Sequence, residues 1–172
     1  MTVNRVLMGS KVICHTLSRP LTGRLSVSKD DNMIANPSSL ALLQSEWQTV
    51  RLMRERIEEL VISTFAVNIS TSPAFGDVLY NLPFRLAFEV LKKVLLQAKA
   101  EGLIPTSQQR LADLMDSAIT SLPWNNWQDL REAVKRRNEV VHDGKLLGDE
   151  QCLQAIADVE SQLIAWRIIE SA

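Results

Sequence analysis

The feature that most constrains the fold is the spacing of apolar residues, which recur every three or four positions in several long segments. This spacing places apolar side chains on one face of an α-helix, and no segment shows the strict alternation of a half-buried strand over a convincing length. The first helix is predicted over residues 39 to about 65, with apolar positions at Leu40, Leu43, Trp47, Val50, Met53, Ile57 and Leu60. The pattern therefore predicts an all-α fold.

Four further helices are predicted from the same spacing, over residues 82–100, 107–121, 126–143 and 149–169. The second would have Asn81 as its cap and Pro83 in its first turn, after a connection over residues 66–81. Thr106 is the predicted cap of the third helix, and Gly144 is predicted to end the fourth. About five helices joined mostly by short connections predict an antiparallel helical bundle.

The charged residues divide the chain into two parts. Residues 1–29 hold five basic residues and no acidic one, although the chain of 172 residues has a net charge of -1. We predict a basic, poorly ordered N-terminal extension over residues 1–37 and one helical domain over residues 38–172. The extension is interpreted either as a transit-type peptide or as a tail of no specific role. A net charge this small does not attract the whole molecule to nucleic acid or membrane, so such binding requires a local patch.

The cysteines and histidines give no sign of a metal site. The chain contains Cys14, Cys152, His15 and His142, and their spacing matches no common set of metal ligands. Two distant cysteines also provide no disulfide framework, which fits a reducing, cytoplasmic setting. No apolar run approaches the length of a membrane span. We therefore expect no metal, no cofactor and no membrane association.

The fourth predicted helix contains a conflict between one residue and its surroundings. On a helical wheel of about 100° per residue, an apolar arc forms from five residues: Leu130, Ala133, Val134, Val140 and Val141. Arg137 falls near the middle of this arc, where a guanidinium is costly unless it is paired or lies at an opening. Asn138 and His142 lie one turn apart on the adjoining edge. Such a conflict often marks a functional site.

The segment Arg137-Asn138-Glu139-Val140-Val141-His142 resembles the R-x4-6-H signature of the HEPN superfamily, in its Arg-Asn-x-x-x-His form. The helix order is also similar, because a short helix and then the motif helix follow the Gly-Leu-Ile-Pro sequence at residues 102–105. The resemblance covers roughly residues 39–169 in helix order and is specific around the motif. It implies a helical bundle that forms a homodimer, with two Arg-His motifs facing one cleft. Active members are metal-independent ribonucleases, many of them toxins or defence effectors, so an antitoxin or other protein partner is also implied.

The resemblance assigns catalytic roles to three residues of the motif. His142 would act as general acid and base, moving a proton from the ribose 2′-hydroxyl or to the leaving oxygen. Arg137 would bind the phosphate and stabilise its developing charge through its fork of donors. Asn138 would orient the histidine or bind phosphate. Contacts with the RNA backbone are predicted at Arg131, Lys135 and Arg136.

The motif residues are also compatible with a purely structural role. Taken alone, His142 is explained by its interaction with the helix dipole, and Arg137 by an ion pair inside the bundle. Two further functions are a non-catalytic HEPN-like module that binds nucleotide, RNA or a protein partner, and a regulator that acts only through dimerisation. The sequence has no glycine-rich phosphate loop and no pattern of a hydrolase triad, so those two enzyme classes are excluded.

Overall fold

The computed structural model describes residues 32–66 and 73–171, and in this part of the chain all regular structure is helical. The elements are α1 Pro37–Ala66, α2 Pro73–Ala100, α3 Leu111–Ala118, α4 Trp127–Asp143 and α5 Asp149–Ala165. The prediction of an all-α helical bundle is therefore confirmed. None of these helices combines the length and the apolar character that crossing a membrane requires.

Helix α2 lies at the centre of the bundle and packs against each of the other four helices. Its inward face carries Phe84, Phe88, Leu91 and Leu95, all of them fully buried. The rings of Phe84 and Phe88 meet edge to face, with centroids 5.2 Å apart. Complete burial of one such side chain contributes about 1.5–3 kcal/mol. The central position of α2 therefore follows from a face that is apolar along most of its length.

Helices α1 and α2 run antiparallel, because the N-terminal part of α1 contacts the C-terminal part of α2. The side chain of Glu101, just after α2, accepts a hydrogen bond of 2.8 Å from the backbone N–H of Ala35, just before α1. Further along, Lys93 of α2 forms an ion pair with Glu46 of α1. From the first contact to the second, the residue number rises along α1 and falls along α2. This is the antiparallel arrangement predicted for neighbours in the bundle.

The N-terminal end of α1 is fixed by a short non-helical segment that packs on the bundle. Ile34 is buried, and the N–H of Met33 donates to the carbonyl oxygen of Trp166. The side-chain oxygen of Asn36 accepts hydrogen bonds from the next two free N–H groups of the chain, 3.0 and 3.1 Å long. Pro37 occupies the first helical position, where its missing N–H matters least. Residues 1–31 of the predicted extension lie outside the described residues.

The predicted start of the second helix was wrong. Helix α2 begins at Pro73 rather than at residue 82, and Pro83 lies inside it. Asn81 is consequently not a cap but a buried residue of the helix interior. A proline inside a helix costs about 3 kcal/mol, and burial of the neighbouring Tyr80 and Phe84 offsets a cost of this size.

The third helix is shorter than predicted, covering residues 111–118 instead of 107–121. Its N-cap position is Arg110, so Thr106 is not the cap. The Thr106 hydroxyl instead accepts a hydrogen bond of 3.2 Å from the N–H of Gln108, within a turn that precedes the helix. A threonine can satisfy a local N–H in a turn as well as at a helix start, and the sequence does not distinguish the two.

The fifth helix ends at Ala165, four residues before the predicted end. Arg167 has a φ of 56°, and the next N–H, of Ile168, donates to the carbonyl of Leu163 over 2.9 Å. This is the hydrogen-bonding pattern of a Schellman motif, formed here without the usual glycine. The chain therefore leaves the helix although Ile168 and Ile169 remain buried.

The four tryptophans pack in or against the hydrophobic core. Trp47 and Trp166 are buried, and Trp124 and Trp127 are partly buried against the core. Trp124 contacts Trp166 edge to face, with centroids 4.8 Å apart. Rings packed in this way are not available as a stacking platform for nucleotide bases.

Candidate functional site

Helix α4 carries the motif and has the predicted extent. It runs from Trp127 to Asp143 and ends at Gly144, whose φ of 67° lies in the left-handed region. Asp129 lies in its first turn, where a carboxylate interacts favourably with the helix dipole, and His142 lies in its last turn. All residues of the motif, from Arg137 to His142, therefore lie within the helix, which ends one residue later.

The predicted apolar arc of α4 is the face that packs into the bundle. Leu130, Ala133, Val134 and Val140 are buried. Arg137 lies among them, with a side chain only 18% exposed. The conflict inferred from the sequence is thus present in the fold, and a partner is required to stabilise this guanidinium.

The partner of Arg137 is Glu89 of helix α2, which forms an ion pair with the Nη2 group. The Nη1 group donates a hydrogen bond of 3.3 Å to the side-chain oxygen of Asn138. The remaining donor, Nε, is buried and contacts no acceptor among the described residues. Two partners on different elements thus hold the guanidinium in one orientation.

Sequence reasoning did not identify Glu89 as a residue of the site. It is separated from Arg137 by 48 residues and lies on another helix. The side chain of Glu89 is 41% exposed, so the Arg137 pair lies at the edge of the bundle and not within its core. The sequence signal was indirect, because a buried arginine predicts some acidic partner without naming it.

His142 and Asn138 differ in burial although they share one edge of α4. Asn138 is partly buried, whereas His142 is exposed, and among the described residues the imidazole has no hydrogen-bond or ion-pair partner. Five residues separate Arg137 from His142, which corresponds to about 7.5 Å along the helix axis and about 140° around it. The two side chains of one chain therefore point in clearly different directions.

The three predicted RNA contacts all interact with acidic side chains. Arg131 makes a bidentate pair with Asp116 of α3, at 2.9 and 3.1 Å, and this hydrogen bonding raises the pKa of Arg131. Lys135 lies 2.9 Å from Glu132 and Arg136 lies 3.9 Å from it. Hydrogen bonding to Lys135 lowers the pKa of Glu132. Binding of RNA through these cations would have to compete with the carboxylates.

Arg136 also faces a different surface from His142. The two residues are about 120° apart around α4. Arg136 lines a groove of about 500 Å³ between α4 and α5, together with the acidic residues Asp129, Glu132, Glu150 and Asp158. Arg131 and Lys135 share the edge of Asn138 and His142, so the predicted backbone contacts divide between two faces.

An exposed apolar patch lies beside the motif. Val78 and Leu82, one turn apart on α2, are 51% and 49% exposed, and Leu146, just after α4, is 46% exposed. Hydrogen bonds between Asn81 and Leu147 bring the segment after α4 against this part of α2. We name Val78, Leu82 and Leu146 the α2 apolar patch. Exposed apolar side chains are typical of a protein interface where they form a contiguous surface.

Cys152 is a structural thiol. It is buried, and burial, together with the charges of Asp77 and Asp149, raises its pKa to about 12. Across residues 32–66 and 73–171, no three histidine, cysteine or acidic side chains are grouped in a way that could hold a metal ion. The chemistry available at the motif is therefore that of Arg137, Asn138, His142 and Glu89.

We compared the chain with protein-family models, with curated proteins and with solved structures, and none of the three comparisons gave a match.

Proposed function

We propose that this chain is a metal-independent endoribonuclease of the HEPN type, in which Arg137, Asn138 and His142 of two subunits line one shared cleft. The observation that carries the proposal is that one helix carries both an exposed histidine and an arginine held in one orientation. Arg137 is fixed by Glu89 and Asn138, whereas His142 is free of protein partners in the described part of the chain. An accessible proton carrier can supply general acid–base catalysis, and a fixed cation can stabilise the charge that develops on the phosphate, so the two together suit RNA cleavage without a metal.

The reaction would use the 2′-hydroxyl of the RNA as the nucleophile. His142 takes the proton of this hydroxyl, the 2′ oxygen bonds to phosphorus, and the bond from phosphorus to the 5′ oxygen breaks. The leaving 5′ oxygen then takes a proton from an imidazolium. Arg137 stabilises the negative charge that grows on the phosphate oxygens. The products are a 2′,3′-cyclic phosphate and a 5′-hydroxyl end.

A second copy of the chain would solve a geometric difficulty. Arg137 and His142 of one subunit diverge by about 140° around α4, so one subunit presents them poorly to a single phosphate. Two motifs facing each other across a two-fold axis place the arginine of one subunit near the histidine of the other. The α2 apolar patch flanks the motif and offers the apolar area that such an isologous contact would bury.

The arrangement of charges indicates modest affinity for RNA. The cations on the motif edge are paired with carboxylates, and Glu139 and Asp143 lie close to His142 in the chain. A site with few unpaired cations releases few counterions when it binds RNA. We therefore expect weak, only moderately salt-dependent binding, and selectivity that depends on a partner or an RNA structure. A toxin or defence effector with an antitoxin partner is the biological role that we propose.

A non-catalytic function is favoured by one specific observation. Glu89 already forms an ion pair with the guanidinium of Arg137, and this ion pair reduces the capacity of Arg137 to bind phosphate. A HEPN-like module in which this ion pair is purely structural would bind nucleotide, RNA or a protein partner without cleaving. The two functions differ in the consequence of removing His142.

The deciding experiment is RNA cleavage by the purified protein in the presence of a chelator. We expect cleavage products with cyclic phosphate ends from the wild type and none from His142→Ala. The matched control is His15→Ala, which removes the other histidine of the chain and should leave cleavage intact. If wild type and both variants leave RNA unchanged while remaining folded dimers, the ribonuclease proposal is refuted and the binding module is favoured.

A further inference from the structure

Asn81 and Gln162 are the buried polar side chains of the described part of the chain, with exposed fractions of 3% and 0%. A buried amide is costly unless its donors and acceptor find partners. Both residues satisfy this requirement through the backbone of a connection between helices. They differ in which connection they hold.

Asn81 holds the connection that follows the motif helix. Its side-chain nitrogen donates to the carbonyl of Leu147 over 2.8 Å, and its side-chain oxygen accepts from the N–H of Leu147 over 3.3 Å. The same nitrogen also donates to the carbonyl of Asp77, one turn earlier in α2, over 2.6 Å. The amide of Asn81 thus binds both polar groups of one residue, as a neighbouring strand would.

This clamp and the ion pair of Arg137 hold the end of α4 from both sides. Asn81 and Glu89 are eight residues apart on α2, which corresponds to about 12 Å. They contact Leu147 and Arg137, and the chain between these two residues contains His142. No hydrogen-bond or ion-pair partner within the described part of the chain holds the His142 side chain, so its place depends on the last turn of α4, which these two anchors hold.

We infer that Asn81 is a positioning residue for His142, acting through the Leu147 peptide and Gly144, where α4 ends. This inference rests on the ribonuclease proposed above, because it assigns a role in the same site. Loss of the clamp frees the segment after α4 and lets the last turn of the helix shift. Misplacement of a catalytic group by about 1 Å can lower a rate by up to about a hundredfold. We expect Asn81→Ala to lower kcat at least about tenfold and to change KM little.

Gln162 provides the matched control. It accepts a hydrogen bond of 2.9 Å from the N–H of Asn125 and donates one of 3.1 Å to the carbonyl of Pro123. It therefore clamps the connection before α4, far from the motif, by the same chemistry. Gln162→Ala should lower Tm about as much as Asn81→Ala but leave kcat unchanged. Equal losses of kcat in the two variants would show that Asn81 acts only through stability and would overturn the inference.

A milder substitution covers the case in which Asn81→Ala does not fold. The hydroxyl in Asn81→Ser can bond to the Asp77 carbonyl within the helix but is too short to bind both groups of Leu147. We expect this variant to fold and to show the same selective loss of kcat on a fluorescein-labelled single-stranded RNA. A folded Asn81→Ser protein with wild-type kcat would contradict the inference.

A measurement without RNA separates this inference from the proposed function. In a His15→Ala background, the imidazole resonances of His142 are the only ones of a histidine side chain in the NMR spectrum. They should shift in Asn81→Ala and stay in place in Gln162→Ala. If the wild type cleaves no RNA but the resonances shift as expected, the proposed function fails and the positioning of His142 by Asn81 is supported. Unshifted resonances in Asn81→Ala would overturn the positioning role.

Discussion

The ion pair between Arg137 and Glu89 predicts opposite outcomes when either partner is removed. The side chain of Arg137 is 18% exposed and that of Glu89 is 41% exposed. Glu89→Ala leaves a guanidinium that is largely enclosed and has lost its carboxylate partner. Arg137→Met leaves a carboxylate that already contacts water and places an unbranched apolar side chain in an apolar arc. We therefore expect Glu89→Ala to destabilise the protein and Arg137→Met to leave its stability nearly unchanged.

The size of the effect follows from the burial of the pair. Removing one partner of a fully buried pair costs about 3–5 kcal/mol. The exposure of Glu89 screens this pair, so we reduce the expected loss for Glu89→Ala to about 2 kcal/mol. In a domain of this length, such a loss lowers Tm by about 4–8 °C. For Arg137→Met we expect a change within about 1 kcal/mol of zero, because the carboxylate left behind is 41% exposed and an ion pair that solvent reaches contributes only about 0–1 kcal/mol.

Thermal unfolding followed by circular dichroism, at neutral pH and low salt, measures this difference. Glu55→Ala is the control for the helical substitution, because Glu55 is an exposed glutamate of α1. Arg137→Met should also abolish RNA cleavage while remaining folded. If Arg137→Met lowers Tm as much as Glu89→Ala does, the guanidinium itself stabilises the fold, which contradicts this prediction.

Three further predictions follow from single residues. Burial desolvates Glu101, but hydrogen bonds from Ala35, Gln97 and Asn36 together outweigh this effect and lower its pKa below the ordinary value of 4.5. The contribution of Glu101 to stability should therefore be complete above pH 4.5 and be lost as the pH falls through the lowered pKa. In an acid titration, Glu101→Gln should lose less stability than the wild type does. In a Cys14→Ser background, the Cys152 thiol, with its pKa raised to about 12, should react with iodoacetamide only when the protein unfolds, and rapid labelling of the native protein would contradict its burial. Gly144→Ala places a methyl group where nothing lies within 4 Å, but at a φ of 67°. Urea unfolding should therefore show a free energy of unfolding lower by about 1 kcal/mol, from backbone conformation alone. An unchanged free energy of unfolding would contradict the left-handed conformation of Gly144.

The motif helix was predictable because its signals are local. The apolar spacing determined its buried face, and Gly144 marked its end at the correct residue. The start of α2 was not predictable in the same way, because Pro83 favours a helix start locally and only the burial of Tyr80 and Phe84 outweighs that preference. The end of α5 was missed for a related reason, since Arg167 takes a left-handed conformation that usually belongs to glycine.

The candidate site shows the same division between local and long-range information. That Arg137 would need a partner followed from its place in an apolar arc. That the partner is Glu89 depends on how α2 and α4 pack, which no local pattern records. Asn81 was misassigned as a cap because its actual partner, Leu147, lies 66 residues away in the chain.

The central position of α2 has a consequence for how the molecule can open. Since α2 contributes to the packing of every other helix, no helix that contacts it can detach without exposing part of its apolar face. The backbone amides around the fully buried Phe88 and Leu91 should therefore exchange with deuterium only when the whole bundle unfolds. His142, Asp143 and Gly144 at the end of α4 are exposed, so the amides there should exchange through smaller, local openings. The amides of the central helix α2 would thus exchange slowly, whereas the last turn of α4, which contains His142, would open without global unfolding.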